Sequence, residues 1–139
     1  MAELTASALT RTQALSAIDA GFAEAGKLGI PFTIAVIDGG GNLIAQVKDD
    51  RAALASIGTS LAKAVTAAHF GQPTGALQGA VGPGGPLFGL GTRDASYAFV
   101  AGGVPIIDAT GAVVGAIGVG GGSPDDDHVV ATAVAAALG

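Results

Sequence analysis

The residues from Tyr97 to Leu138, YAFVAGGVPIIDATGAVVGAIGVGGGSPDDDHVVATAVAAAL, constrain the fold more than any other stretch of the chain. Gly102-Gly103 opens an apolar run, Val104 to Ile107. Asp108-Ala109-Thr110-Gly111 supplies a turn, and Ala112 to Val119 returns, rich in β-branched side chains. Two such runs around a short loop ending in glycine predict a hairpin. Gly120, Gly121 and Gly122 then lead into Ser123-Pro124-Asp125-Asp126-Asp127 and an alanine-valine segment. Serine suits a helix N-cap, proline the first helical position, and a carboxylate three residues past the cap can receive free backbone N–H groups. The three aspartates complement the positive end of the helix dipole. Asp127, Val130 and Val134 share one stripe of this helix, so Asp127 leans toward the apolar face. Two readings of it stay open: a helix-start charge, or a carboxylate placed for chemistry beside a glycine run.

The rest of the chain reads in order. Thr5 to Lys27 has helical spacing, with Leu15, Ile18, Phe22 and Ala25 in its apolar stripe, and Gly29 and Pro31 end it. Phe32 to Ile37 and Leu43 to Lys48 flank the turn Asp38-Gly39-Gly40-Gly41-Asn42, a second hairpin. Asp38 fits a turn residue that caps local N–H groups, with a catalytic role as the other reading. A helix is expected from Ala52 to Phe70, with Leu54, Ile57, Leu61, Ala64, Val65 and Ala68 facing the core. Its other face carries Ser56, Thr59, Ser60, Lys63 and Thr66, with one cation where a solvent face would carry several charges. That face suggests a pocket wall or a subunit interface. Lys63 is then either a solvated lysine or a ligand-facing, acid–base group.

His69 ends this helix, where an imidazolium is favoured by the dipole, and His128 is expected to be exposed. Two histidines and no cysteine cannot supply a three-histidine or thiolate metal site within one chain. Thr74 to Ala80 reads as a short helix, and Val81 to Thr92 as a Gly- and Pro-rich loop. Leu87, Phe88 and Leu90 in that loop could cover a ligand or dock on a neighbour. Tyr97 to Val100 is expected to form a strand. The order of elements implies one α+β domain over residues 1–139, with an antiparallel sheet.

Charge placement bears on partners. From Ala52 to Pro124 the only charged residues are Lys63, Arg93, Asp94 and Asp108. Exposed surfaces are normally about a quarter or more charged. The simplest account is that much of this half is buried against copies of the chain, an obligate homo-oligomer. A net charge of −5 argues against a nucleic-acid or anionic-membrane partner. No apolar run is long enough to span a bilayer, and MAELTASALTR lacks the pattern of a signal peptide, so a cytoplasmic location is expected. The glycine runs are not phosphate loops, because no Gly-Lys-Ser/Thr follows and the triply negative helix start would repel pyrophosphate.

Taken together, IAVIDGGGNLIAQ, DDRA, LAKAVTAAHFGQPT, GGVPI, GAVVGAIGVGGG and the Asp127 helix resemble the GlcG/HbpS-like family, which includes the C-terminal domain of PduO-type proteins. The resemblance covers nearly the whole chain. It implies a profilin-like α-β-α layering with a five-stranded antiparallel sheet, and dimers up to octamers. It also implies a bound small molecule: heme or cobalamin in some members, many of which lie near glycolate or diol metabolism. The family's K-A-x-T-A motif falls on Lys63 and Thr66, its helix-start aspartate on Asp127, and its GGVPI on Gly102 and Gly103. There are departures: Asp49-Asp50-Arg51-Ala52 replaces a Met-Asp-Gly-Ala segment, Val119-Gly120-Gly121 lacks a serine, and His128 stands where an acid is common.

Two functional readings follow. The first is an oligomeric small-ligand-binding protein for heme or a related tetrapyrrole. Lys63, Thr66, His69, Gly102, Gly103 and Asp127 would line its site. His69 would be the metal ligand, with His128, Tyr97 and Lys63 as other axial candidates. The second is an enzyme without a cofactor, an isomerase, tautomerase or hydratase acting on a small oxygenated acid. There Lys63 would polarise the substrate, and Asp127 or His69 would move the proton. A structural or chaperone-like oligomer without chemistry is the third.

Overall fold

The structure is a computed structural model that describes Ala2 and residues 8–138. Among the described residues five helices and four strands run in the order α1 (Arg11–Leu28), β1 (Thr33–Asp38), β2 (Leu43–Lys48), α2 (Ala55–Phe70), α3 (Thr74–Val81), α4 (Leu90–Arg93), β3 (Gly103–Ile107), β4 (Val113–Gly120) and α5 (Pro124–Leu138). The strands form one antiparallel sheet in the order β2-β1-β4-β3. Both expected hairpins are present. Asp38 is a turn residue: its Oδ1 accepts from the N–H groups of Gly40 and Asn42, each at 2.9 Å. Pro105 sits in β3, an edge strand, where its missing N–H costs least.

Alternation along the strands sends side chains to two faces. Ile34, Val36, Ile117 and Val119 pack with Ile18 of α1 and Val130 and Val134 of α5. Ile37 and Ala116 face the other way, onto Ala64, Ala67 and Ala68 of α2. The sheet therefore lies between α1 and α5 on one side and α2 on the other. The fully buried isoleucines and valines of β1 and β4 each contribute about 1.5–3 kcal/mol by leaving water. Among the described residues no helix is long and apolar enough to cross a membrane.

Several expectations are corrected. The sheet has four strands, not five, because Tyr97 to Val100 is not a strand. Its backbone groups pair with helix hydroxyls instead of a neighbouring strand: the Ala98 N–H donates to Thr66 Oγ1, and Val100 C=O accepts from Thr74 Oγ1. The first helix begins at Arg11, capped by Thr10 and Gln13, while the part expected over residues 5–7 lies outside the described residues. Leu15 is exposed, and Ala14, Ala17 and Gly21 take the inner stripe with Ile18 and Ala25. Residues 52–54 precede α2, and the end of the 81–92 loop folds into α4.

The largest correction concerns the orientation of α2. Ala64 and Ala68 face the core as expected, with Leu61 and Val65 half-buried against it, but Ser56, Ser60, Lys63 and Thr66 are buried as well, whereas Leu54 and Ile57 are exposed. Glycine on β4 explains the reversal. A Cβ on Gly118 would overlap the Ser60 carbonyl, and one on Gly120 would stand 2.6 Å from Thr59 Oγ1. With no side chains in the way, helix backbone meets sheet backbone, and only short side chains fit between them. The hydroxyls there are satisfied locally: Ser56 and Thr33 share a hydrogen bond of 2.6 Å, and Ser60 donates to Ile57 C=O at 3.1 Å.

Candidate functional site

The residues singled out in the sequence fall in two places. The first is a buried cluster where α2, the start of β3 and the first turn of α5 converge. Lys63 Nζ donates to Asp127 Oδ2 at 2.7 Å and to Val119 C=O at 3.1 Å. The second oxygen of Asp127 accepts from the Gly122 N–H at 2.9 Å. The side chains are 7% and 2% exposed. Gly102 makes the meeting possible. A Cβ there would stand 2.8 Å from Asp127 Cβ and 2.9 Å from Lys63 Nζ, and its φ of +126° is a conformation that suits glycine. The lysine of one layer thus reaches the aspartate of the other past the end of β3.

Burial raises the Asp127 carboxyl above the usual carboxylate range, against the pull of the Lys63 ammonium and the Gly122 N–H. Gly103 presses against the Lys63 backbone and Thr74 and donates its N–H to Thr74 Oγ1 at 2.9 Å. Thr66 is buried with both hydroxyl functions occupied, donating to Ala62 C=O at 2.7 Å and accepting from Ala98 N–H at 2.8 Å. Ser123 caps α5 as expected, accepting from the Asp126 N–H at 3.2 Å, but the Asp126 carboxylate accepts from the Ser123 hydroxyl at 2.8 Å, and it is Asp127 that receives a backbone N–H, that of Gly122.

The second place is the exposed C-terminal end of α2. His69 Nδ1 and the Tyr97 hydroxyl lie 2.9 Å apart. Tyr97 also packs edge-on against Phe70, at 5.3 Å between centroids, and Phe70 against Phe99 at 5.4 Å. Gly41, with φ +88°, faces the other ring nitrogen: a Cβ there would stand 3.1 Å from Nε2. Hydrogen bonds from the Ser96 hydroxyl and N–H hold the nearby Asp94 carboxyl below the usual range. An imidazole with one nitrogen held against a hydroxyl is oriented in the way that partner groups orient metal-ligating histidines.

Tyr97 therefore carries more weight than the sequence assigned it. Its signal was present: the chain's single tyrosine follows His69 in a segment rich in aromatics. His128, expected to be exposed, is half-buried, and its Nδ1 is the one buried side-chain polar atom without a hydrogen-bond partner among the described residues. Those residues hold no group of three or more His, Cys, Asp or Glu able to enclose a metal ion.

Known proteins share this fold. A family model described as "Haem degrading protein HbpS-like" matches residues 9–136. The crystal structure of Klebsiella pneumoniae protein ORFY superposes with a TM-score of 0.91 at 28% identity, covering 99% of this chain and 95% of that one. HbpS gives a TM-score of 0.85 at 37% identity over 99% and 95% of the two chains. A PduOC:heme complex gives 0.87 at 27% identity over 94% of each.

Proposed function

This chain belongs to the HbpS-like family, and on that premise we propose that it is an oligomeric heme-binding protein whose iron ligand is His69. The observation that carries the reading is the pairing of His69 with Tyr97. The contact holds the exposed ring in place; with the ring proton on Nδ1, donated to the phenol oxygen, Nε2 carries the lone pair, and Gly41 leaves free the space beside it that a side chain would take. The donor type fits heme iron. The neighbouring aromatic rings Phe70, Tyr97 and Phe99 hold the end of α2 in place. The structure solved with heme in a related protein supports the choice of ligand. Bound heme would supply redox chemistry at iron; His69 would hold the iron, and Tyr97 would keep the His69 ring in position. The exposed apolar side chains at the start of α2, Ile57 and the preceding Leu54, are the face we assign to a second copy.

The alternative, an isomerase, tautomerase or hydratase built on Lys63 and Asp127, has less support. The two groups neutralise each other at 2.7 Å, behind a protein surface that leaves 7% and 2% of them exposed. They act better as a clamp between layers than as a substrate site.

Hemin titration followed by visible absorption tests the reading. A Soret shift of defined stoichiometry is expected for the native protein and for His128→Ala, and its loss for His69→Ala with an unchanged circular dichroism spectrum. A shift that His69→Ala leaves intact overturns the assignment.

A further inference from the structure

The His69–Tyr97 contact has a second capacity, one that needs no bound group. The chain has no Cys, no Trp and a single Tyr, so Tyr97 is its one thiol or electron-rich aromatic side chain able to give up an electron readily. Loss of one electron turns a phenol into a strong acid. The step is accessible when the phenolic proton leaves with the electron, and that takes a base already hydrogen-bonded to the hydroxyl. His69 Nδ1 lies 2.9 Å from the Tyr97 hydroxyl. With nothing bound at Nε2, the phenol is the stronger acid and the imidazole nitrogen the stronger base. The phenol then donates to Nδ1, and the ring proton stands on Nε2.

Two further observations suit the pair to this step. The half-buried Tyr97 ring packs edge-on against Phe70 at 5.3 Å and tilted against Phe99 at 5.8 Å, so its neighbours are rings harder to oxidise than itself. His69 is exposed, so an imidazolium formed there is solvated by water and carries no burial cost. We propose that Tyr97 is a redox-active tyrosine that gives one electron to an outer-sphere one-electron oxidant while its proton passes to His69 Nδ1. The phenol and the neutral imidazole become a phenoxyl radical and an imidazolium. The oxidant gains the electron, the O–H bond breaks and an N–H bond forms. A one-electron reductant reverses the step. The proposal does not rest on the heme reading: a metal at Nε2 would put the ring proton on Nδ1 and remove the base.

The test is stopped-flow oxidation of the full chain, with no heme added, by hexachloroiridate(IV). Loss of the oxidant's colour gives the rate, and electron paramagnetic resonance of freeze-quenched samples identifies the radical. A fast phase with a tyrosyl signal is expected for the native protein. The phase should be absent in Tyr97→Phe, slower in heavy water, and slowed roughly tenfold or more in His69→Ala. Added imidazole should restore part of the rate in His69→Ala, which a merely structural role for His69 would not allow. A fast phase that survives Tyr97→Phe, equal rates for native protein and His69→Ala, or no recovery with imidazole would each overturn the proposal. A chain that shows the phase and binds no hemin refutes the heme assignment alone, and a chain that binds hemin and lacks the phase refutes this proposal alone.

Discussion

Helix α2 carries two polar pairs, and they differ in the respects that decide what a pair can do. Lys63–Asp127 lies in its inner face, dry, with both carboxylate oxygens and two of the three ammonium protons bonded to protein. His69–Tyr97 lies at its exposed end, where one ring nitrogen is held by the phenol and the other stands beside Gly41. A buried pair whose partners are complete has little left to offer a ligand. An exposed imidazole has a second nitrogen that no side chain occupies. Charge rarity in the sequence drew attention to the first pair, but the second has the chemical capacity.

If the comparison holds, breaking the inner pair damages the fold, and breaking the outer pair damages only binding. Lys63→Met leaves a carboxylate buried at 2% exposure without its counter-ion. Removing one partner of such a pair costs about 3–5 kcal/mol, which urea unfolding would register as a lower midpoint at unchanged slope. A loss below about 1 kcal/mol would mean that water reaches Asp127 and that the clamp description is wrong.

Tyr97→Phe sharpens the other side. The ring packing on Phe70 and Phe99 survives, and only the hydroxyl that orients His69 is lost. Loss of such an orienting partner typically weakens a metal site about 10–100-fold. Hemin affinity should fall by that factor, with unfolding stability changed by no more than about 1.5 kcal/mol. Unchanged hemin affinity would separate Tyr97 from the site, and a large loss of stability would make it part of the core.

Much of this architecture is legible in the residues. The two hairpins follow from β-branched runs around Asp-Gly turns, and the capped start of α5 follows from Ser123-Pro124 and its aspartates. The facing of α2 is not legible, because the cause lies elsewhere in the chain. Leu54 and Ile57 head the apolar stripe, yet Gly118 and Gly120 on β4 admit only short side chains against the sheet and leave those two exposed. Helix periodicity reports which residues share a face and not which face its partner can accept. The missing fifth strand has the same origin. Tyr97 to Val100 has strand-like residues, but Thr66 and Thr74 capture its backbone first. In the site, spacing did identify Asp127 as inward-facing, and its meeting with Lys63 depended on a glycine at position 102 that no local pattern assigns to that task.

The smallest effect concerns how the inner pair responds to pH. Asp94 and Asp108 are exposed, and hydrogen bonds, first from the Ser96 and Thr110 hydroxyls, hold their carboxyls below the usual range. Asp127 is displaced the other way, because loss of water outweighs the Lys63 and Gly122 contacts. A carboxyl raised in the folded state holds its proton more tightly there than in the unfolded chain. Its contribution to stability is complete below the unfolded value and is lost as pH rises through the folded one. Asp127→Asn has no proton to release, so it lacks this dependence. The stability difference between native protein and variant should therefore be largest at the acid end of the carboxylate range and shrink as the pH is raised above it, as read from urea unfolding across a pH series. A difference that widens with pH would show that the ammonium, rather than burial, governs Asp127. The pair would then stabilise as an ion pair, and the contrast with His69–Tyr97 would rest on exposure alone.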